Sequence, residues 1–250
     1  GFYLSDVKTS IKQNDNNTID LIYNVNLGEK ALIKNIKFIG DKKFKNRKLR
    51  QIIVSEENKF WKFLSTKKYL NQNQIQLDER LLLNFYRDNG YYKANVESST
   101  AKFIDEQNFE VTYNINAGKK FIFNDLKITL PTDYKRENFS EISDTFIELK
   151  NTSYSLKKID KILKEIDKIA LSQQYEFINA KVEENIIDDN KLNLTFIINE
   201  TEKNYVEKIN IIGNSITREN VIRNALLVDE GDAFNEILHN KSINRIKRRG

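Results

Sequence analysis

The chain has 250 residues, of which 39% are hydrophobic and 31% charged, a composition typical of globular protein with room for two or three domains. It has no cysteine, which excludes disulfide frameworks, thiolate metal sites and cysteine nucleophiles. Its 41 basic and 36 acidic residues are mixed along the chain, so the net charge of +5 does not indicate nucleic-acid binding. No apolar run reaches the roughly 18 residues of a membrane helix. Because the chain opens on Gly1 and lacks Met, we expect a segment of a longer protein.

The first 30 residues predict a β-hairpin that follows an aromatic corner, Gly1-Phe2-Tyr3. A polar turn at residues 14–17 separates two segments in which apolar residues alternate with polar ones. Alternation of this kind predicts strands with one face on a core. The apolar positions are Val7, Ile11, Ile19, Leu21, Tyr23 and Val25.

The next segment combines a strand, two helices and a second hairpin. Residues 34–41 alternate and end in Gly40-Asp41, a pair typical of the tight turn after a strand. A short helix is predicted over residues 47–53, and a longer helix over residues 77–86 ends at Gly90, before Tyr91 and Tyr92. Alternating segments at 94–96 and 111–115, separated by a polar turn at 105–108, predict the hairpin.

The same order of elements recurs along the rest of the chain. A weaker opening strand is predicted at 126–130, a poorly patterned short helix at 138–149, a strongly periodic helix at 156–169 and a hairpin at 180–198. The sequence pattern of residues 34–41 then recurs at residues 207–214, where Gly213-Asn214 corresponds to Gly40-Asp41. Helical patterns follow at 217–226 and 237–246. Recurrence at a regular spacing indicates a tandem array of one module.

The predicted module is β-α-α-β-β, an α+β fold with a three-stranded mixed sheet and two helices on one face. We expect an elongated arm of such modules, because no Pro-rich or Gly-rich linker separates the copies. The predicted domains are a C-terminal hairpin of a preceding module at 1–30, complete modules at 31–118 and 119–203, and the first part of a further module at 204–250.

These features resemble the polypeptide-transport-associated (POTRA) domain family. The resemblance rests on the glycine turns after the opening strands, the corner Gly90-Tyr91-Tyr92, and hairpins that end in Gly28-Glu29 and Ala117-Gly118. The cluster Phe60-Trp61-Lys62-Phe63, followed by Lys67-Lys68-Tyr69, is similar to an insertion in the third POTRA domain of the BamA family of outer-membrane protein assembly factors. The resemblance implies the end of the second such domain, the complete third and fourth, and the start of the fifth.

For function, the resemblance implies the periplasmic part of a Gram-negative outer-membrane protein, with a C-terminal membrane β-barrel in the full-length chain. Such an arm binds accessory outer-membrane lipoproteins of the assembly complex and guides unfolded outer-membrane proteins to insertion. The physical basis is β-augmentation, in which an exposed edge strand offers unpaired N–H and C=O groups to an extended peptide. No cofactor, metal or nucleic acid is implied.

The candidate binding edges are the first hairpin strands of the two complete modules. The first edge is predicted over residues 93–102, and the alternative is that its charges at Lys93, Glu97 and Lys102 prevent edge pairing. The candidate residues are Lys93, Ala94, Asn95, Val96, Glu97, Ser98 and Ser99 in the first edge, and Phe177, Ile178, Asn179, Ala180, Lys181 and Val182 in the second.

Two further positions are candidates for partner contacts. The resemblance places a contact with an accessory lipoprotein at Asp229, Glu230 and Gly231, and the alternative is an ordinary acidic turn. The aromatic residues Phe60, Trp61 and Phe63 are candidate docking residues, and the alternative is a local core beneath the insertion.

The sequence contains no nucleophile elbow, phosphate loop or metal-ligand spacing, so we expect no enzyme. His239, the only histidine, has no triad partner at a meaningful spacing. Two other classes of function stay open. One is the POTRA arm of a different transporter, TamA-like, of two-partner secretion or of chloroplast import, and the other is an unrelated periplasmic scaffold array.

Overall fold

The computed structural model describes residues 2–3, 5–14, 18–62, 64–173, 175, 178–200, 202, 204–214 and 217–248. The chain divides into two compact units, Gly1–Lys120 and Phe121–Gly250. Each unit contains one three-stranded mixed sheet with helices, so the predicted α+β module is confirmed. No helix among these residues combines the length and apolar character needed to cross a membrane.

The first unit begins with two small strand pairs and continues with the complete module. Its elements are β1 (Phe2–Tyr3), β2 (Asp6–Gln13), β3 (Ile19–Asn26), β4 (Glu29–Lys30), β5 (Leu32–Asp41), α1 (Asn46–Arg50), a 3₁₀ turn (Phe60–Lys62), α2 (Gln72–Asp88), β6 (Asn95–Asp105) and β7 (Asn108–Asn116). Strand β1 pairs with β4, and β2 pairs with β3.

The module sheet of the first unit has the order β5–β7–β6. Strand β7 lies in the centre, parallel to β5 and antiparallel to β6. Alternate residues of β5 and β7 are buried on one face, where they form a core with α1 and α2. That core includes Ile33, Ile36, Phe38, Leu49, Leu82, Tyr86, Val111, Tyr113 and Ile115.

Helix α2 is fixed at its N-terminus and in its middle. The Asn71 side chain accepts hydrogen bonds from the backbone N–H groups of residues 73 and 74, which caps the N-terminus. The carboxylate of Asp78, fully buried, accepts hydrogen bonds from the Val54 N–H (2.6 Å), the Ser55 N–H (3.2 Å) and the Tyr113 hydroxyl (2.7 Å). Burial, together with the Asp78 charge, raises the pKa of the Tyr113 hydroxyl. Asp78 therefore ties the segment after α1 to both the helix and the sheet.

The first hairpin, β2–β3, forms as predicted but does not lie on a core. Its apolar residues share one face, because Val7 pairs with Val25 and Ile11 pairs with Leu21. All of them are exposed. The expectation of a buried face was wrong because the described residues provide no opening strand and no helices to cover this hairpin.

The second unit repeats the module and then begins another. Its elements are β8 (Ile122–Thr129), a 3₁₀ turn (Arg136–Phe139), α3 (Ser140–Leu149), α4 (Leu156–Ser172), β9 (Ile178–Asp188), β10 (Lys191–Glu200), α5 (Glu219–Arg223) and α6 (Glu236–Lys247). The sheet order β8–β10–β9 reproduces that of the first unit, with β10 parallel to β8 and antiparallel to β9.

The structure differs from the predictions at the starts of two modules. No strand forms in the described residues 204–214, although residues 207–214 repeat the strand pattern of 34–41. A strand needs a neighbour for its backbone groups, and no described strand pairs with this segment. Helix α1 is shorter than predicted because its last turn tightens, with the Ile52 N–H bonded to the Leu49 carbonyl at 3.0 Å.

Candidate functional site

The first predicted edge lies on β6, the terminal strand of its sheet. One side of β6 pairs with β7, and no strand of the described chain pairs with its other side. Lys93 and Ala94 precede the strand instead of belonging to it, since β6 begins at Asn95 and the Ala94 N–H closes a turn onto the Tyr91 carbonyl (3.1 Å). The predicted edge is thus displaced by two residues at its start.

Two β-bulges divide this edge. The pairing of β6 with β7 shifts between Val96 and Ser98, and again between Phe103 and Asp105. At the first bulge the Glu97 carboxylate accepts hydrogen bonds from the side-chain amides of Asn114 (2.9 Å) and Asn116 (3.0 Å). The charge of Glu97 is therefore directed back over β7. Between the bulges, residues 98–103 keep regular pairing and form the uninterrupted part of the edge.

A groove runs beside this part of β6, between the strand and helix α2. Its volume is about 450 Å³, and its wall and floor are formed by Leu70, Gln72, Ile75, Gln76, Glu79, Ser99 and Ala101. The Ser99 hydroxyl donates a hydrogen bond to the Glu79 carboxylate across the groove. A strand added to β6 would direct alternate side chains into this space, because successive side chains of a strand point to opposite faces.

The second predicted edge lies on β9, the terminal strand of the other sheet. Phe177 lies outside the described residues. Ile178 is buried and Asn179 and Ala180 are half-buried, and these three residues line a pocket of about 450 Å³ together with residues of α4 and α6. The second edge is therefore flanked at its start by α6. Lys181 and the residues that follow it are mostly exposed.

One carboxyl group in the pocket beside β9 has a perturbed pKa. Burial raises the pKa of the Asp167 carboxyl, on α4. Lys241 of α6 lowers this pKa and Glu236 of α6 raises it. The start of the second edge is thus surrounded by charge of both signs.

The predicted lipoprotein contact lies in a turn whose glutamate is already bonded within the chain. The Glu230 carboxylate accepts hydrogen bonds from the Ile209 N–H (2.9 Å) and from Arg223 (3.4 Å). Arg223 in turn donates to the Ile209 carbonyl (2.9 Å) and to Glu219 (2.8 Å). The Ile209 N–H first, and then Arg223, lower the pKa of the Glu230 carboxyl.

The backbone and the neighbouring acids of this turn are arranged around Glu230. Gly231, at φ +97°, donates its N–H to the Val206 carbonyl (2.7 Å). The Asp229 N–H bonds to the Asp232 carboxylate (2.8 Å). Asp229 and Glu230 are both exposed, and Glu230 is the one whose carboxylate is bonded to the Ile209 N–H and to Arg223.

The first unit contains the same arrangement, which the sequence analysis missed. The Glu57 carboxylate accepts a hydrogen bond from the Ile36 N–H (3.1 Å) and forms an ion pair with Arg50 (2.9 Å). Arg50 also donates a hydrogen bond to the Ile36 carbonyl (2.8 Å). We call each set of three residues an Arg–Glu clamp. The members of the second clamp, Ile209, Arg223 and Glu230, follow those of the first at one constant interval in the sequence. That interval was the signal that could have revealed them.

The predicted docking aromatics lie on the surface. Phe60 and Trp61 are exposed, and their rings meet edge to face with centroids 4.6 Å apart. The Lys59 ammonium lies 5.6 Å from the centre of the Trp61 ring. Phe63 lies outside the described residues. The alternative of a local core beneath the insertion does not fit these exposures.

The candidate site contains no arrangement of metal ligands. Among the residues that the structure describes, no three His, Asp or Glu side chains come together to hold a metal ion. The predicted site residues lie at four positions in the fold, namely the β6 edge, the β9 edge, the turn at Glu230 and the loop of Phe60.

Comparison with known proteins gives relatives along most of the chain. The chain is 27% identical over 242 residues to the outer membrane protein assembly factor BamA of Buchnera aphidicola, covering 92% of this chain and 37% of that protein. It is 22% identical over 220 residues to BamA of Neorickettsia risticii, covering 88% of this chain and 29% of that protein. The chain thus spans about a third of the length of these curated relatives.

The fold is also similar to that of a solved structure. The crystal structure of Haemophilus influenzae BamA POTRA3-5 matches with a TM-score of 0.61 and 17% identity, covering 89% of this chain and 87% of that one. The POTRA family model, described as a surface antigen variable number repeat, matches residues 31–118 and 204–250, more than half of the chain. The repeated β-α-α-β-β module and this match together show that the chain belongs to the POTRA family.

Proposed function

We propose that the chain forms part of the periplasmic arm of an outer-membrane protein assembly factor, and that it holds unfolded outer-membrane proteins by adding them as a strand to β6. The relatives named above carry the name of such a factor. Membership of the POTRA family removes the alternative of an unrelated scaffold array. The relatives' names favour assembly over secretion or import. On this proposal the chain acts as a scaffold without catalysis.

One observation carries the proposal, namely a regular edge that borders an open groove. Residues 98–102 lie on the side of the sheet where no described strand follows β6, and the groove against α2 lies beside them. Main-chain hydrogen bonds to such an edge depend little on the sequence of the added strand. A site of this kind suits a scaffold that must hold many different unfolded chains.

The β9 edge is the weaker candidate on this proposal. Its first residues are buried or half-buried and lie beside α6, so an incoming strand would meet the helix there. The charged residues Lys181, Glu183 and Glu184 follow directly and are exposed. Charges in this position discourage edge pairing, and residues 98–102 of β6 contain a single charged residue, Lys102. We therefore assign client binding to β6 first.

Accessory lipoproteins are proposed to contact the turn of Asp229, Glu230 and Gly231. The Glu230 carboxylate is exposed but already bonded to the Ile209 N–H and to Arg223, so we assign the contact first to the exposed Asp229. A partner that replaced the Ile209 N–H or Arg223 as the donor to Glu230 would break the second Arg–Glu clamp. The contact with Asp229 needs no such rearrangement.

Site-specific photocrosslinking in cells tests both proposals. A crosslinking amino acid at Thr100 of β6 is compared with one at Lys37 of β5, because both residues are exposed and both pair with Thr112 of β7. We expect crosslinks to outer-membrane proteins from Thr100 and several-fold fewer from Lys37, since the outer backbone groups of β5 at Ile33 and Ile36 are already bonded within the chain. Equal yields from the two positions would contradict strand addition at β6. The same amino acid at Asp229 should yield lipoproteins, and their absence would remove that contact.

A further inference from the structure

The loop that connects α1 to α2 is held firmly at its base. The Glu56 N–H donates to the Lys67 carbonyl (3.1 Å), and the Gln74 side chain donates to the same carbonyl (2.8 Å). The Asn58 N–H donates to the Ile33 carbonyl (2.6 Å), which ties the loop to β5. The segment between these bonds therefore projects from a closed base.

This segment ends in an apolar tip, which we define as Phe60, Trp61 and Leu64. The three residues are 88%, 60% and 84% exposed. Large apolar side chains at such exposures, close together in the sequence, leave apolar surface in water that would be stabilised by transfer to a less polar environment. The tip contributes nothing to the core of the module, whose buried cluster does not include it.

Lysines provide most of the exposed charge around the tip. Glu57 is neutralised by Arg50 and bonded to the Ile36 N–H, and Glu56 accepts a hydrogen bond from Ser65. Lys59 and Lys67 are exposed and flank the tip in the sequence. The Lys59 ammonium also lies 3.6 Å from the Glu57 carboxylate. Exposed aromatic residues flanked by lysines are typical of the interface between lipid headgroups and acyl chains.

We propose that the apolar tip inserts into the surface of an anionic lipid membrane, and that Lys59 and Lys67 contact the headgroups. Exposed apolar side chains beside exposed lysines match the two layers of such a surface, the acyl chains and the anionic headgroups. The long lysine side chains can keep their ammonium groups among the headgroups while their methylene groups follow the tip.

Trp61 provides a direct test because it is the only tryptophan of the chain. Its fluorescence is recorded while vesicles of phosphatidylethanolamine with phosphatidylglycerol are added to the full 250-residue chain. We expect the emission to shift to shorter wavelength, and lipids brominated on their acyl chains to quench it. Neutral phosphatidylcholine vesicles should bind more weakly.

Variants separate the apolar and the basic contributions. Phe60→Ser with Leu64→Ser keeps Trp61 as the reporter and should weaken partitioning at least about tenfold, because apolar contact with the membrane is lost. Lys59→Gln and Lys67→Gln should each weaken binding to the anionic vesicles about fivefold. All four side chains are exposed, so the fold should persist. The control is Ile147→Ser on α3, which removes an apolar residue that is 74% exposed and should leave binding unchanged.

Three outcomes would overturn the proposal. The first is that neither kind of vesicle shifts the emission of Trp61. The second is that Ile147→Ser weakens binding as much as the tip variant. The third is that an unfolded outer-membrane protein shifts the Trp61 emission while vesicles do not, which would assign the tip to a protein partner.

Discussion

Arg50 and Arg223 have the same role in two modules. Each arginine bonds the carbonyl of an isoleucine in the opening segment and the glutamate that follows the short helix, and that glutamate accepts the isoleucine N–H. In the first unit the isoleucine lies in β5. In the second it lies in a segment without a strand, so the clamp forms there without a paired sheet. The clamp is therefore local to its own three residues.

The second clamp should make stability depend on pH. We expect Glu230→Gln to lower the urea midpoint of the second unit at about pH 7, because glutamine loses the charge that faces Arg223. The folded-state pKa of Glu230 lies below its ordinary value of 4.5. Its contribution to stability is thus present above that value and is lost as the pH falls through the folded pKa. The difference in midpoint between wild type and variant should shrink at about pH 3.5.

Circular dichroism during urea titration at the two pH values measures this difference. Glu202→Gln, at an exposed position outside the turn, is the control and should leave the midpoint unchanged at both pH values. An equal difference at both pH values would show that the Glu230 charge does not stabilise the fold.

At the scale of elements, the sequence predicted the strands that have alternating apolar residues and the helices that have helical periodicity. The hairpins and the long helices α2 and α4 form where predicted, because each follows from its own residues. The exact start of β6 and its two bulges could not be predicted, because they depend on the register with β7. The missing strand at 207–214 has the same cause, since alternation shows which residues suit a strand but not whether a partner is present.

The position of the candidate edge was predictable from the sequence, whereas the contacts around it were not. The hairpin pattern was sufficient to place the first edge on β6, because the module topology leaves that strand at the end of the sheet. The groove beside it was not predictable, since Ile75 and Ala101 come together only through packing of α2 on the sheet. The intramolecular bonds of Glu230 were accessible only by comparing the modules position by position.

The exposed face of the β2–β3 hairpin supports a prediction about surface binding. Ile11 and Leu21 form a cross-strand pair and are 66% and 52% exposed. We expect the variant Ile11→Ser with Leu21→Ser to bind less of the apolar dye ANS while its unfolding free energy changes by less than about 0.5 kcal/mol. The pair contributes no buried contact that the variant would remove.

Leu194 of β10 is the buried control for this pair. It has 1% exposure on the core face of its sheet, so Leu194→Ser should cost about 3 kcal/mol or more. ANS fluorescence and thermal unfolding measure the two effects. A loss of stability in the hairpin variant comparable to that of Leu194→Ser would contradict the exposure of this face.

At the scale of the whole molecule, the two compact units predict independent stabilities. The core of the first module contains residues between 33 and 117 and none from the second unit. We expect Leu82→Ala to destabilise the first module by about 3 kcal/mol and to accelerate hydrogen exchange within residues 31–118. Exchange within residues 121–200 should not change.

The reciprocal variant is Ile162→Ala on α4, which is buried in the second unit. It should accelerate exchange in residues 121–200 and leave residues 31–118 unchanged. Hydrogen exchange followed by mass spectrometry measures both variants. Acceleration in both units by either variant would show that they unfold together.

The strand order of each sheet has a consequence for the order in which a module takes shape. The central strand, β7 or β10, is the last of its module along the chain, whereas the opening strand, β5 or β8, is the first. As a chain emerges from its N-terminus, the opening strand waits unpaired until the last strand has appeared, and a long loop must close at that moment. The edge proposed to bind clients exists only after the same event, because β6 is held in place by β7. On the proposed function, a half-emerged module can therefore offer no docking strand, and strand addition becomes possible only when the module itself is complete.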